Sequence, residues 1–230
     1  MLRYLLKRLL ALIPVLLGVA FLIFTMMYFT PGDPAAMVLG DQASEEQLNE
    51  WRAARDLDKP FLEQFGKYIW GIVSQGDFGI SYKTGKNVTS ALLERFPTTF
   101  VLAIATCVIA MVLGVLLGIL AANHQGTWID SVLRVFGMAG VSMPIFWLGL
   151  LMILWFAVDL KWFPVSGWYG PKYLVLPALT MGLTFTASLM RTTRSSMLDC
   201  IRQDYVITAR AKGQKERVIT YHHVFRNALI

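Results

Sequence analysis

Four long stretches of this 230-residue chain carry no formal charge, and they constrain the fold more than any other feature of the sequence. They cover residues 9–32, 96–129, 135–158 and 173–190. A helix of about 20 apolar residues crosses the hydrocarbon core of a bilayer, and about 18 such residues are the usual lower limit. We therefore predict an all-α, polytopic membrane protein with transmembrane helices near residues 9–30, 99–122, 135–157 and 174–191.

The composition agrees with a bilayer environment. Apolar residues make up 56% of the chain and charged residues 16%, and the mean hydropathy is +0.54. Ordinary soluble domains have roughly 45–50% apolar and about 25% charged residues. These values exclude a disordered, collagen-like or nucleic-acid-coating protein. Cys107 and Cys200 lie far apart in the sequence, so no disulfide framework is indicated.

The distribution of basic residues predicts the orientation in the membrane. Residues 1–8 carry three basic side chains and no acid, residues 33–95 carry seven basic and ten acidic, and residues 191–230 carry eight basic and three acidic. Lys and Arg concentrate in cytoplasmic segments. We therefore expect a cytoplasmic N-terminus and tail, with residues 33–95 outside. The net charge of +6 then needs no nucleic-acid partner. The rival for the first span, a cleaved signal peptide, is disfavoured because its apolar run should be only about 7–15 residues long.

The long external segment contains helix signals typical of water-exposed helices. Ser44 and Gln47 have the spacing of a capping box, which predicts a polar helix after Ser44. Residues 58–60 then begin a helix with one apolar face, which packs on the protein's own outer surface or, less favoured, binds a partner. A further helix over residues 88–96 precedes Pro97, which opens the second span.

Small residues recur every four positions along the second span. In membranes such a stripe lets another helix approach closely, and it therefore predicts tight helix packing. The stripe consists of Ala110, Gly114, Gly118 and Ala122.

Several kinds of chemistry are disfavoured by the residues. The sequence has no phosphate-binding loop of the form GxxxxGK[ST], so we expect no ATP site in this chain. No carboxylate, Lys or Arg lies within the four charge-free stretches that form the predicted spans, which argues against an ion-coupled carrier. His222 and His223 are adjacent and point apart on a helix, so we predict no metal site. We expect neither an enzyme nor a bound cofactor.

The most informative segment is the basic one over residues 199–217. A helix of mixed charge ends near Gly213, and the chain then returns toward the membrane. Physical reasoning alone leaves two interpretations, of which a solvated basic loop is favoured. The other is a docking element in which small Ala209 and Ala211 seat the helix in a partner's groove and Tyr205 anchors it.

Five motifs in order along the chain resemble the permeases of ABC importers, and in particular the B-type permease of dipeptide and oligopeptide importers, whose relatives carry nickel or glutathione. The motifs are PGDPA at residues 31–35, GDFGISY at 76–82, SMPIFWLG at 142–149, PVSG at 164–167, and QDYVITARAKG at 203–213 followed by RNAL at 226–229.

The resemblance implies a type I ABC importer permease fold with an N-terminal transmembrane helix (1–32), an extracytoplasmic helical region (33–95) and a transmembrane domain (96–230). Such permeases continue beyond the last motif with a proline and two further spans. We therefore expect four of six spans and a truncated C-terminus. A fragment, a truncated copy and an incomplete chain all stay open.

The resemblance also implies the site and the partners. Residues 199–217, here called the coupling segment, would contain the helix that sits in a cleft of the ATPase. The implied coupling residues are Tyr205, Ala209, Arg210, Ala211, Lys212 and Gly213. Ile207 opens a stretch that reads ITA where the general pattern has Glu-Ala-Ala, so no specific Glu contact is implied.

The expected function is a permease subunit for peptides in the bacterial cytoplasmic membrane. Its partners would be a homologous second permease, two cytoplasmic ATPases that bind ATP and magnesium, and an extracytoplasmic substrate-binding protein. Alternatives are a nickel or glutathione importer of the same family, a truncated non-transporting or regulatory fragment, and an independent channel or carrier.

Overall fold

The computed structural model describes residues 2–40 and 42–229, and helices dominate that part of the chain. Its only β-pairing there is an isolated bridge between Ile80 and Asn87. This confirms the all-α prediction. The helices are α1 (Leu2–Phe29), α2 (Pro34–Leu39), α3 (Glu45–Ala53), α4 (Phe61–Gln75), α5 (Val88–Asn123), α6 (Trp128–Ser142), α7 (Ile145–Met152, continued as a π-helix over Ile153–Asp159), α8 (Pro171–Ile201), α9 (Asp204–Ala211), α10 (Glu216–Val218, continued as a π-helix over Ile219–Val224) and α11 (Phe225–Ala228).

Three helices in the described part of the chain are long and apolar enough to cross a membrane. They are Arg3–Phe29, Val88–Asn123 and Pro171–Ile201. A fourth crossing exists if α6 and α7 with its π-helical extension count as one span. The short helix predicted over residues 88–96 is not separate, because α5 runs continuously through Pro97.

The third predicted span is broken rather than continuous. Trp128–Ser142 and Ile145–Asp159 meet at an angle of 102°. Pro144 has no N–H to continue the hydrogen-bond ladder, and it disfavours helical geometry in the residue before it. Met143 is accordingly extended, with φ −80° and ψ 124°.

The chain divides into two compact units, Met1–Phe96 and Pro97–Ile230. In the first unit, the apolar face of α4 lies on α1. Phe61 and Phe65 make edge-to-face contacts with Phe21 at 5.5 and 5.3 Å between ring centroids. The favoured interpretation of this face, packing on the protein's own surface, is what the structure shows.

The predicted capping box is present at the start of α3. The Gln47 amide donates to Ser44 Oγ at 3.3 Å, and the Ser44 amide donates to Gln47 Oε1 at 3.0 Å. A short ion pair ties the helix to α2, since Arg52 Nη2 lies 2.6 Å from Asp33 Oδ2. The Arg52 hydrogen bond holds the pKa of Asp33 below its usual value.

In the second unit, the small-residue stripe of α5 lies directly against α8. A Cβ added at Gly118 would lie 2.6 Å from Thr193 Cβ and 2.8 Å from the Met190 carbonyl oxygen. A Cβ added at Gly114 would lie 2.9 Å from Leu189 Cβ. The helix that packs against the stripe is therefore α8 of this same chain.

Candidate docking site in residues 199–217

One face of α9 is anchored in the core of the second unit. Val206 is fully buried and Ala209 is 8% exposed. The two residues are three positions apart and so share a helix face. They pack in a cluster with residues from the ends of α5 and α8 and from the π-helix after α10: Ile119, Ala122, Met197, Leu198, Ile219 and Val224. The coupling segment is therefore fastened to the ends of two long apolar helices.

The opposite face of α9 is exposed. Ile207, which is 61% exposed, and Ala211 are four positions apart and share this face, whereas Tyr205, 37% exposed, lies at the edge of the buried face. Arg210, Ala211 and Lys212 are exposed as well. A branched aliphatic side chain and a small residue, flanked by an aromatic ring and basic groups, form a surface suited to a protein groove.

The structure separates the two alanines that the sequence analysis placed together in a partner's groove. Ala211 lies on the exposed side, whereas Ala209 faces the chain's own cluster. Their spacing of two residues turns them to different sides of the helix. Only Ala211 is thus available to a partner.

Gly213 ends α9 as the sequence suggests. Its φ is +74°, a left-handed value that residues with a Cβ rarely adopt. Its amide donates to the Arg210 carbonyl at 2.9 Å. A Cβ there would meet no atom within 4 Å, so the backbone conformation, and not a lack of space, requires glycine.

An ion pair spans the turn between α9 and α10. Arg210 Nε donates to Glu216 Oε1 at 2.8 Å, and Arg210 Nη2 donates to Glu216 Oε2 at 3.3 Å. The hydrogen bond from Arg210 lowers the pKa of the Glu216 carboxyl, and the same bond raises the pKa of Arg210. Two-point contact of this kind fixes the relative direction of the two chain segments.

His222 and His223, which the sequence predicts to point apart, have neighbouring rings in the π-helix Ile219–Val224. The ring centroids of His222 and His223 lie 5.2 Å apart, and His223 Nε2 is 2.7 Å from Gln214 Oε1. Across the described residues, no group of three or more His, Cys, Asp and Glu side chains is arranged to hold a metal ion.

Sequence reasoning missed a buried ion pair one turn of α8 from the anchoring cluster. Arg194 Nε donates to Asp130 Oδ1 at 2.7 Å and Arg194 Nη2 to Asp130 Oδ2 at 2.8 Å. The Gly126 amide donates to Asp130 Oδ2 at 3.1 Å. The Asp130 side chain is only 1% exposed. A signal was present, because Asp130 is the only acidic residue between Glu94 and Asp159.

Ile207 was also missed as a surface residue. In the sequence it stands out only as a departure from a family pattern, because the residues of a short helix do not by themselves show which face is covered. Its exposure marks it as the most prominent apolar side chain of α9.

Comparisons with known proteins cover nearly the whole chain. Residues 114–230 match the family of binding-protein-dependent transport system inner membrane components, and residues 1–103 match the N-terminal part of such membrane components. The glutathione transport system permease protein GsiC of Escherichia coli strain K12 is 39% identical over 230 residues, covering 100% of this chain and 75% of that protein. A putative peptide transport system permease protein of Brucella abortus strain 2308 is 39% identical over 234 aligned residues, covering 98% of this chain and 74% of that protein.

Proposed function

The chain belongs to the family of binding-protein-dependent transport system inner membrane components, and from that premise we propose that its coupling segment receives an ATPase subunit of an importer. The observation that carries the proposal is the two-sided character of α9. One face is buried in the core through Val206 and Ala209, and the opposite face exposes Ile207 and Ala211, with Tyr205 exposed at the edge of the buried face.

The buried face supplies the mechanical connection. Movement imposed on α9 from outside is passed through the anchoring cluster to Ile119 on α5 and to Met197 on α8. Close-packed interiors transmit displacement because their side chains have little room to yield. An ATPase that moves α9 would thus re-orient two membrane-crossing helices and change which side of the membrane the pathway faces.

The turn after α9 restricts the orientation of α10 relative to α9. Gly213 sets the reversal of the backbone, and the Arg210–Glu216 pair clamps α9 to α10. Without this pair, α10 would be freer to move relative to α9, while the buried face of α9 would still contact α5 and α8.

The remaining partners follow from the family. A second, homologous permease completes the pathway, two ATPases bind ATP and magnesium on the cytoplasmic side, and a substrate-binding protein delivers the solute on the opposite side. The excess of basic residues in 1–8 and 191–230 supports placing both segments in the cytoplasm. No ATP chemistry is assigned to this chain.

The proposed substrate class is short peptides. One similar protein is described as a glutathione permease and another as a peptide permease, and glutathione is itself a tripeptide. Uptake of a labelled dipeptide and of labelled glutathione by cells dependent on this transporter distinguishes the two.

The docking role is tested by Ala211→Glu in the complete transporter. A buried charge in the interface should remove ATPase subunits from a pull-down and abolish uptake. Membrane abundance should stay near normal, because Ala211 lies outside the anchoring cluster. Ile207→Glu should act in the same way.

Ala54→Glu is the matched control, since Ala54 is an exposed alanine of the first unit that the charge distribution places outside. It should retain both ATPase subunits and uptake. Normal uptake and normal ATPase retention in both coupling-segment variants would reduce residues 199–217 to a solvated basic loop.

A further inference from the structure

A groove between α6 and α8 combines an apolar wall with a cluster of arginines. Its volume is about 410 Å³, within the roughly 300–1,000 Å³ typical of ligand sites. Val135 and Met138 belong to the wall, and Met190, which also lines the groove, is only 2% exposed. Val135 and Met138 remain 61% and 59% exposed, so the described part of the chain leaves this wall open.

The charges in the groove are unbalanced. Three arginines line it, and the carboxylate of Asp130 contacts two of them, Arg134 and Arg194. Asp130 accepts hydrogen bonds from Nε and Nη2 of Arg194. Arg134 Nε lies 3.7 Å from Asp130 Oδ1, and the Arg134 side chain is 53% exposed. Within residues 2–40 and 42–229, the Arg191 side chain is exposed and forms no hydrogen bond or ion pair. Two positive charges are left for an anion.

The depth of these arginines matches the surface of a bilayer. Arg134 directly precedes the charge-free run 135–158, and Arg191 directly follows the run 173–190. Both mark the place where an apolar helix leaves the hydrocarbon, and both line the same groove. A phosphate at this level would meet the guanidinium groups, while an acyl chain attached to it would lie along the apolar wall.

We propose that this groove binds one anionic phospholipid, with its phosphate on Arg134 and Arg191 and an acyl chain against Val135 and Met138. The wall argues for a lipid over a free phosphate, which would gain nothing from apolar contact. Basic pockets between membrane helices are suited to anionic headgroups. Lipid binding in this groove does not require transport activity.

Native mass spectrometry of the full chain in non-ionic detergent tests the proposal, with phosphatidylglycerol as probe and phosphatidylcholine as the zwitterionic comparison. Phosphatidylglycerol should bind in preference. The double change Arg134→Gln with Arg191→Gln should weaken it by roughly fivefold per arginine. Arg134→Lys with Arg191→Lys keeps the charge and should retain most of the preference, which guards against misfolding as the cause.

The matched control is Arg217→Gln with Arg226→Gln, which removes two exposed arginines outside the groove. Equal loss in this control, or unchanged binding in the groove variant, would overturn the site. Competition by glycerol 3-phosphate at the same concentration as the lipid would identify a free phosphate site instead. Absence of the lipid from this subunit in the assembled transporter would assign the arginines to a protein partner.

Discussion

At the scale of single residues, Asp130 shows how a charge is tolerated beside a membrane helix. Its carboxylate accepts two hydrogen bonds from Arg194 and one from the Gly126 amide, so a side chain that is 1% exposed has its oxygens satisfied. A buried charge without such partners would be costly. The pair joins the start of α6 to the end of α8, next to the anchoring cluster.

Removing this charge should destabilise the protein. Asp130→Asn leaves Arg194, itself only 20% exposed, without a counter-charge, and we expect a loss of about 3 kcal/mol. Thermal unfolding of the purified protein in detergent measures the effect. Asp199→Asn, at an exposed position of α8, the helix that carries Arg194, should change the melting temperature little. A melting temperature for Asp130→Asn equal to that of the native chain would show that the pair contributes no net stability.

The Arg210–Glu216 pair predicts a pH dependence in the turn after α9. The pKa of Glu216 lies below its ordinary value of 4.5 because Arg210 donates to its carboxylate. A lowered pKa in the folded state means that the pair stabilises the turn above about pH 4.5, and that this stability is lost as the pH falls through the lowered value. A carbon-13 titration of the Glu216 carboxyl should show a midpoint below 4.5. Arg210→Gln should raise that midpoint, and an identical midpoint in the variant would contradict the contact.

At the scale of helices, the sequence predicted elements better where the signal is local. The Ser44–Gln47 capping box is a contact between residues three apart, and the structure has it as expected. The break at Pro144 was not predicted, because a charge-free run of 24 residues satisfies the length criterion whether the helix is straight or bent. The proline was visible in the sequence, but the same residue type lies inside α5 at Pro97 without ending that helix.

The candidate site was predictable to a similar degree. Gly213 as a helix terminator is a local property, and its φ of +74° agrees with that expectation. Which side of α9 faces the core depends on Ile119 and Met197, residues far away in the sequence, so the inward position of Ala209 could not be derived from its neighbours. For the same reason the partner of Asp130, 64 residues away, required the structure.

The close approach of α5 and α8 predicts the effect of one added methyl group. Gly118→Ala places a Cβ 2.8 Å from the Met190 carbonyl oxygen, which belongs to a rigid helix backbone, so the helices must separate. We expect a net loss of about 1–2 kcal/mol, because overpacking outweighs the better helix propensity of alanine. Gly18→Ala is the control, since a Cβ there meets nothing within 4 Å. Thermal unfolding in detergent compares the two, and equal melting temperatures would refute the close packing.

At the scale of the whole molecule, the bent pair Trp128–Ser142 and Ile145–Asp159 determines whether the number of membrane crossings is odd or even. That number decides on which side of the membrane the chain emerges after α8. With three crossings, residues 202–229 emerge on the side opposite the N-terminus; with four, they return to the same side. The charges favour four, since residues 1–8 and 191–230 are both rich in Lys and Arg, whereas residues 33–95 have an excess of acids. Four crossings also place the coupling segment where a cytoplasmic ATPase can reach it.

Cysteine labelling in intact spheroplasts tests this parity in a variant from which Cys107 and Cys200 have been removed. A membrane-impermeant thiol reagent should label Ala54→Cys and leave Lys215→Cys unlabelled until the membrane is permeabilised, because both positions are exposed and four crossings put them on opposite sides. Ala54 is a better site than Arg55, whose guanidinium lies 4.1 Å from the centroid of the Trp51 ring. Labelling of both positions in intact spheroplasts would show that α6 and α7 enter and leave the membrane on one side. That result would place residues 199–217 outside the cell and remove the ATPase from the proposed mechanism.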